Sequence, residues 1–374
     1  MEMISRIGKL AEIKKAKGVD AFLITSPSSV KYFSGYFFYF EYGASPFHLL
    51  PAVLMVVPGQ DACLVLADNE LGQASSVDPL IKLSPYESYT FEKAADPAGA
   101  CIKRLCEFID KNGLSASRIG MEQGSLPFVI PKVLAELYPS LEWVDTSPEI
   151  AQFKLIKDPD EIAIMRRASA LADIGQESVS RYARAGMSEL ELFALAHRDI
   201  EAAFGCRVPL MSDLSSGIGT NTGGGIPTNK IIRTGDLILS DFQPCLEGYW
   251  GDSCNTMIVG TPTKEQKKTF VLVREALEIG IGAIKPGVQA RAVDRLMRDH
   301  IGNYPHHSGH SVGTAYHESP RITPYNDIEL AADMLIALEP AIYKKDYGIR
   351  LEHLMLVTDT GCEVLTKFKH RFEQ

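Results

Sequence analysis

The chain has 374 residues, 45% hydrophobic and 23% charged, with a formal net charge of −9. This length exceeds one ordinary core, so two domains are expected in a soluble globular protein. The acidic balance argues against nucleic acid or an anionic membrane surface as partner, and with no run of about 18 apolar residues no membrane span is expected.

Residues 1–18 intersperse charges with Ile4, Ile7, Leu10 and Ile13 at helical spacing, a pattern unlike a secretory leader. An apolar run over 21–25 reads as a strand, and runs over 52–57 and 62–66 flank Pro58-Gly59 as a hairpin. Residues 101–108 and 129–137 have helical patterns. Residues 1–150 thus read as an α/β domain with its own core and no catalytic cluster. The seven cysteines include no Cys-x-x-Cys pair, so they are expected as reduced thiols in a cytoplasmic protein. Cys254, near Asp252, reads as a small packed side chain.

The boundary falls near 153–159, with a second domain over 157–374. Asp158-Pro159-Asp160-Glu161 is a strong helix start, and that helix should bury Ile162, Met165 and Leu171 and end near Gly186. Ser188-Glu189-Leu190-Glu191 opens a second helix that stops near Gly205. Thr263-Lys264-Glu265-Gln266 caps a third that runs to about Ala283, and a fourth covers 289–300. Helix-helix-strands is therefore followed by helix-helix-strands. Leu237-Ile238-Leu239-Ser240-Asp241 echoes Leu335-Ile336-Ala337-Leu338-Glu339, each a buried-looking strand ending in an acid. Each is followed, after a glycine-containing turn, by a second acid on another strand-like segment. The pattern is a pseudo-twofold repeat in which each half supplies two carboxylates.

Strand parity puts Asp252 and Thr256 on one face, and Arg350 with Glu352 on one face with Leu351 turned away. Carboxylates buried in apolar strands are costly unless compensated, and cations are the usual compensation. The segment Pro305-His306-His307-Ser308-Gly309-His310 can add an imidazole. Four carboxylates and an imidazole suit Mn, Co, Fe or Zn, and two such ions sharing a water lower its pKa. A structural zinc would instead call for closely spaced Cys and His.

Gly235-Asp236-Leu237-Ile238-Leu239-Ser240-Asp241 with Gly248-Tyr249-Trp250-Gly251-Asp252 resembles the first metal block of the creatinase, aminopeptidase P and prolidase family of "pita-bread" (M24) metallopeptidases. His306-His307-Ser308-Gly309-His310 with His317-Glu318-Ser319-Pro320-Arg321 resembles its histidine block. Leu338-Glu339-Pro340-Ala341-Ile342-Tyr343 and Gly348-Ile349-Arg350-Leu351-Glu352 resemble the last two, and Tyr32-Phe33-Ser34-Gly35-Tyr36 resembles part of its N-terminal domain. The resemblance implies an α/β (α+β) protein, with a creatinase-like N-terminal domain followed by a pita-bread domain. It implies metal ligands Asp241, Asp252, His310, Glu339 and Glu352 for two divalent ions, with Glu339 also as acid-base group. It further implies substrate contact by His317, a pocket-lining His306, an orienting Arg350, and Arg321 for a dipeptide's free carboxylate. The implied activity is that of an Xaa-Pro dipeptidase or aminopeptidase, the implied assembly a homodimer whose subunits share pocket walls.

The chain also departs from the family. Gly224 stands where the metallopeptidases place a histidine in the loop before the first metal strand, Asn255 replaces an arginine and His353 an aspartate. The Gly224 substitution favours a second expectation on the same scaffold: an enzyme hydrolysing an amidine or cyclic amide, or a lyase on a small zwitterion. A metal-free binding protein is the third. Other features carry plain expectations. Residues 217–223 lack dinucleotide-loop spacing and read as a loop shaped for close approach to substrate. His307 reads as a neighbour of the functional histidines, and His48, His197, His300 and His370 as surface or core residues. The aromatic run 36–40 reads as core or dimer interface, and 264–268 as a solvated helix start.

Overall fold

In the computed structural model, which describes residues 6–38, 45 and 47–373, the chain divides into two units, Met1–Lys154 and Leu155–Gln374. In the first unit the apolar runs become strands β1 (Ala21–Ile24), β2 (Val53–Val57) and β3 (Asp61–Ala67), followed by β4 (Lys82–Tyr86), β5 (Arg118–Met121) and β6 (Glu142–Asp145). They form one sheet in the order β4-β3-β2-β1-β5-β6. β2 and β3 make the expected hairpin, closed by Gly59 at φ 77°.

Every residue of β1 and β2 is buried, as when helices cover both faces of a sheet. Leu23, Val53 and Met55 pack with Leu105 and Phe108 of helix α3 (Pro97–Lys111) and Ile130 and Leu134 of α4 (Val129–Leu137). Phe22, Ile24, Leu54 and Val56 point the other way. They meet Leu10 and Ile13 of α1 (Arg6–Lys17), Tyr32 and Phe33 of α2 (Pro27–Ser34), and Ile150 of α5 (Ser147–Phe153). Each such buried side chain contributes roughly 1.5–3 kcal/mol over exposure. Tyr36 belongs to this core and donates its hydroxyl to Glu70 at 2.9 Å; Ile4, Tyr39 and Phe40 lie outside the described residues.

The second unit opens with α6 (Pro159–Tyr182), whose start is closed by the reciprocal Asp158–Glu161 cap. The helix ends before the expected Gly186. That glycine, at φ 91°, instead makes a turn whose N–H donates to the Ile232 carbonyl. Helix α7 (Glu189–Phe204) carries both halves of the Ser188–Glu191 capping box and ends on Gly205 in the left-handed region. Next come β7 (Leu210–Ser216), β8 (Leu237–Leu246), β9 (Tyr249–Trp250) and β10 (Ser253–Ile258), with the sheet order β10-β8-β7 and β9 paired to β8. Helices α8 (Lys264–Ala283) and α9 (Ala290–Ile301) restart the pattern. They lead to β11 (Gly309–Ser311), β12 (Glu318–Ile322), β13 (Leu335–Leu338), β14 (Ala341–Tyr343), β15 (Gly348–Arg350), β16 (His353–Val357) and β17 (Cys362–Val364). Here the sheet order is β12-β11-β13-β16-β17, with β14 paired to β15. None of the described helices is long and apolar enough to cross a membrane.

Three strand expectations need correction. Asp241 lies in the middle of β8, because β7 and β10 pair it on both sides past the acid. The segment 250–256 is not one strand. It breaks at Gly251-Asp252, where Gly251 presses so closely on α6 that a Cβ would sit 2.5 Å from the Ala168 carbonyl oxygen. The segment 349–353 also breaks, at Leu351-Glu352, because β15 pairs with β14 while β16 pairs with β13. Glu352 bridges the halves through its N–H, which donates to the Cys254 carbonyl at 2.9 Å.

Buried Gln176 of α6 fixes the first pair of acid-bearing segments. Its amide donates to the carbonyls of Ser240 (3.1 Å) and Ser253 (2.7 Å), the residues beside Asp241 and Asp252. A side chain at Gly251 would push the Asp252 turn off α6. Gly251→Ala is therefore expected to cost about 1–3 kcal/mol, as overpacking does, read as a lower midpoint in urea unfolding; an unchanged midpoint would contradict the close contact.

Candidate metal centre

Four carboxylates and a guanidinium converge where the two halves meet: Asp241, Asp252, Glu339, Glu352 and Arg350, all buried. Asp241 comes from β8, Asp252 from the break between β9 and β10, Glu339 from the end of β13, and Glu352 from the break between β15 and β16. His310 of β11, also buried, completes the group.

His310 shows most directly what the cluster is built to hold. Its Nδ1 lies 2.9 Å from the Ser311 carbonyl oxygen, which can only accept, so Nδ1 carries the hydrogen. Burial pushes the imidazole pKa down to about 4, so the ring is neutral and Nε2 is a bare lone pair. That lone pair points at the Asp252 Oδ2 (3.5 Å) and Glu339 Oε1 (3.6 Å) carboxylate oxygens. Lone pairs facing one another in a dry site are repulsive unless a cation sits among them. Asp252, His310 and Glu352 each offer a donor atom within 4.8 Å of the others, and Glu352 Oε2 is buried with no hydrogen-bond partner. The donor set, oxygen-rich with one imidazole, fits a divalent metal.

The carboxylates differ in what surrounds them. Burial first, then the charges of Asp213 and Glu339, raise Asp241 to about 7 against the pull of Arg350. Burial and neighbouring acids push Asp252 and Glu352 well above the usual carboxylate range. Burial would raise Glu339 too, but the His307 hydrogen bond, and after it the Arg350 charge, outweigh it and hold Glu339 at about 2. His307 Nε2 is 2.9 Å from Glu339 Oε1, His306 Nδ1 is 3.8 Å and Arg350 Nε 4.0 Å from Oε2. His306 is braced by Tyr343, whose hydroxyl meets its Nε2 at 2.9 Å.

Arg350 pairs with Asp241, approaches Asp213 at 3.4 Å and donates to the Gly223 carbonyl. Asp241 is thus engaged by Arg350 and Gln243, apart from the Asp252–His310–Glu352 group. His317 is exposed, its ring 4.3 Å from that of His310 and 5.6 Å from that of His307. Partial burial of the ring, then His307 and Arg321, lower its pKa against the pull of Glu339. Arg321 on β12 is exposed, and among the described residues no acid pairs with it; Asp327, one surface partner it could have had, is bound by Arg291 at 2.7 Å.

Some functional neighbours were not legible in the sequence. His307, expected as a bystander, hydrogen-bonds Glu339 and groups with His310 and His317 as candidate ligands. Gln243 donates to both Asp241 and Asp252, the latter at 3.1 Å; it stands two residues beyond Asp241, on the same strand face, so parity was the available signal. Asp213 is paired in register with Asp241 across β7 and β8, which only strand pairing reveals. The 217–223 segment, expected as a plain loop, forms a 3₁₀ turn over Gly217–Thr222: Thr220 Oγ1 accepts from the Gly348 N–H and the Gly223 carbonyl accepts from Arg350. His197 and His300 pair with Glu201 and Glu275, His48 is exposed, and His370 is half-buried beside His353 with Nε2 3.1 Å from the Glu352 carbonyl. Lys264, Lys267 and Lys268 are exposed, and all seven cysteines are free.

Known proteins share this fold. Residues 6–156 match the creatinase/prolidase N-terminal domain and residues 163–359 match metallopeptidase family M24. An Xaa-Pro dipeptidase of Pyrococcus horikoshii is 28% identical, the match covering 98% of this chain and 97% of the relative. An uncharacterised peptidase of Bacillus subtilis is 27% identical over 96% and 97%. Among solved structures, an Xaa-Pro dipeptidase from Bacillus anthracis superposes with a TM-score of 0.84 at 26% identity, covering 99% of each chain. A prolidase from Pyrococcus horikoshii superposes at 0.82 and 26% identity, covering 98% of this chain and 99% of the other. With the family match spanning the repeat that carries the carboxylates, the chain belongs to metallopeptidase family M24 and is a pita-bread metallohydrolase with a creatinase-type N-terminal domain.

Proposed function

We propose that the protein is a metal-dependent dipeptidase or aminopeptidase that cleaves the bond ahead of proline. The observation that carries this reading is the neutral His310 Nε2 turned toward buried carboxylate oxygens, on the strand paired with β12, whose Arg321 has no acid paired to it among the described residues. The naming of relatives as Xaa-Pro dipeptidases supports it. Asp241, Asp252, His310, Glu339 and Glu352 would hold two divalent ions, Mn, Co, Zn or Fe. Such ions, when bound, polarise a carbonyl and lower the pKa of water. Glu339, kept ionised by the His307 hydrogen bond and Arg350, takes the proton of the attacking water and returns it to the leaving nitrogen. His317 donates to the substrate, and His306 and Tyr343 wall the pocket. Arg350 orients Asp241, and Arg321 receives the substrate carboxylate in its planar fork.

A second reading on the same scaffold, hydrolysis of an amidine or cyclic amide or lysis of a small zwitterion, is favoured by one observation. Gly224, at the place of the family's histidine, sits so close to Asp213 that a Cβ would be 2.1 Å from its Oδ2. A panel of Xaa-Pro dipeptides separates the two readings: turnover favours the first, and no turnover with metal bound favours the second.

Elemental analysis of reconstituted protein should find about two divalent ions per chain. Asp252→Ala and Glu352→Ala are each expected to lower that number and abolish turnover; full metal content in either variant would contradict the assignment. For Arg321→Ala, losing a charge-assisted bond of about 1.5–3 kcal/mol should raise KM for a dipeptide about 10- to 100-fold. KM for the C-terminal amide should barely move. Equal effects on acid and amide would remove Arg321 from carboxylate recognition.

A further inference from the structure

Glu189 is the first residue of α7 and is 3% exposed. Its carboxylate gathers donors from two separate stretches of chain. Oε1 accepts from the Ser216 N–H (2.8 Å) and hydroxyl (2.7 Å), and Oε2 accepts from the Thr228 N–H (3.1 Å) and hydroxyl (2.8 Å). Lys230 Nζ adds charge at 3.9 Å from Oε1. The backbone repeats the grip, with the Glu189 N–H donating to the Lys230 carbonyl (3.1 Å) and the Leu190 N–H to that of Thr228 (2.9 Å). Four hydrogen bonds and a cation satisfy a buried carboxylate that would otherwise be costly.

Ser216 and Thr228 are the two ends of the segment 217–227, which lies against the metal-centre residues. Its Gly223 carbonyl accepts from Arg350, whose other nitrogen pairs with Asp241. Its Gly225 carbonyl accepts from the Leu214 N–H at 2.9 Å, and Gly224 abuts Asp213. Asn221 Nδ2 and Thr220 Oγ1 reach the second half of the repeat at Lys345 and Gly348, 2.7 and 2.9 Å away.

From this geometry we infer that Glu189 is a positioning residue: it clamps both ends of 217–227 so that Gly223 holds the Arg350 guanidinium against Asp241. The inference rests on the reading of Arg350 and Asp241 given above. A glutamine keeps the shape but offers a single acceptor oxygen and turns an NH₂ toward groups that are themselves donors.

The test measures amide hydrogen exchange by mass spectrometry with kinetics on a dipeptide. In Glu189→Gln, exchange over 217–227 is expected to speed up at least about tenfold. We expect kcat to fall by about tenfold while KM stays within about twofold and metal content stays at the wild-type value, because Arg350 acts on the centre and not on the substrate. Thr228→Val, which removes one of the four bonds, should move the same readouts in the same direction by about threefold, and keeps the test open if the glutamine variant folds poorly. Glu191→Gln is the control. It disturbs the same helix start through Ser188 without touching Ser216 or Thr228, and should leave exchange over 217–227 unchanged. Wild-type exchange in Glu189→Gln, or an equal effect from Glu191→Gln, would overturn the clamp. If the wild-type protein cleaves no dipeptide, the proposed function fails, and the exchange comparison by itself still decides whether Glu189 clamps the segment.

Discussion

Four carboxylates and one guanidinium share a buried site, and most of what is distinctive in the second unit follows from keeping that site tolerable. Arg350 neutralises one acid, chiefly Asp241. The His307 hydrogen bond and Arg350 hold Glu339 ionised. Among the described residues no lysine or arginine pairs with Asp252 or Glu352, both titrate well above their ordinary range, and a neutral imidazole turns its lone pair toward the group. An apolar interior does not retain such a set unless cations complete it. The repeat provides the geometry: each half places one acid on or at the end of a central strand and a second where the next strand breaks and changes partners.

The surroundings keep those acids in place. Gln176 spans the carbonyls flanking the first pair, Gly251 lets the Asp252 turn lie on α6, and the Glu352 N–H ties the second half to the first through Cys254. Arg350 belongs both to the carboxylate cluster and to the 217–227 segment, so the wall of the site and its charge balance are coupled through one side chain. Where the family's metallopeptidases carry a histidine, that wall carries Gly224 pressed against Asp213. A side chain at 224 therefore demands a change at 213, and the two positions are best varied together when specificity is studied.

The local signals of the sequence were strong where they were chemical. The capping residues at Asp158, Ser188 and Thr263 start helices as expected, and the Pro58-Gly59 turn makes its hairpin. The five acid and histidine positions sit near one another as their order along the chain suggested. What was not legible depends on pairing between distant segments. The strand breaks at Asp252 and Glu352 come from partner exchange, which alternation of side chains cannot reveal. Asp213 enters the site through its register with Asp241, and His307 becomes a partner of Glu339 only once β11 is set beside β13. The Gly-rich segment reads as a plain loop because its composition is permissive, whereas hydrogen bonds from its ends to Glu189 and from its interior to Arg350 and Gly348 fix its conformation.

The charge balance of the centre can be measured without any substrate. Ligands that bind only the folded state raise its stability, by about 2.7 kcal/mol at a hundredfold excess over Kd. Thermal unfolding of chelator-treated protein should therefore shift upward by on the order of 5 °C when manganese is added, and the shift should vanish in His310→Ala, which removes the imidazole that faces Asp252 and Glu339. An unchanged melting temperature in the presence of manganese, cobalt and zinc alike, or the same shift in His310→Ala, would contradict a metal centre built on these residues.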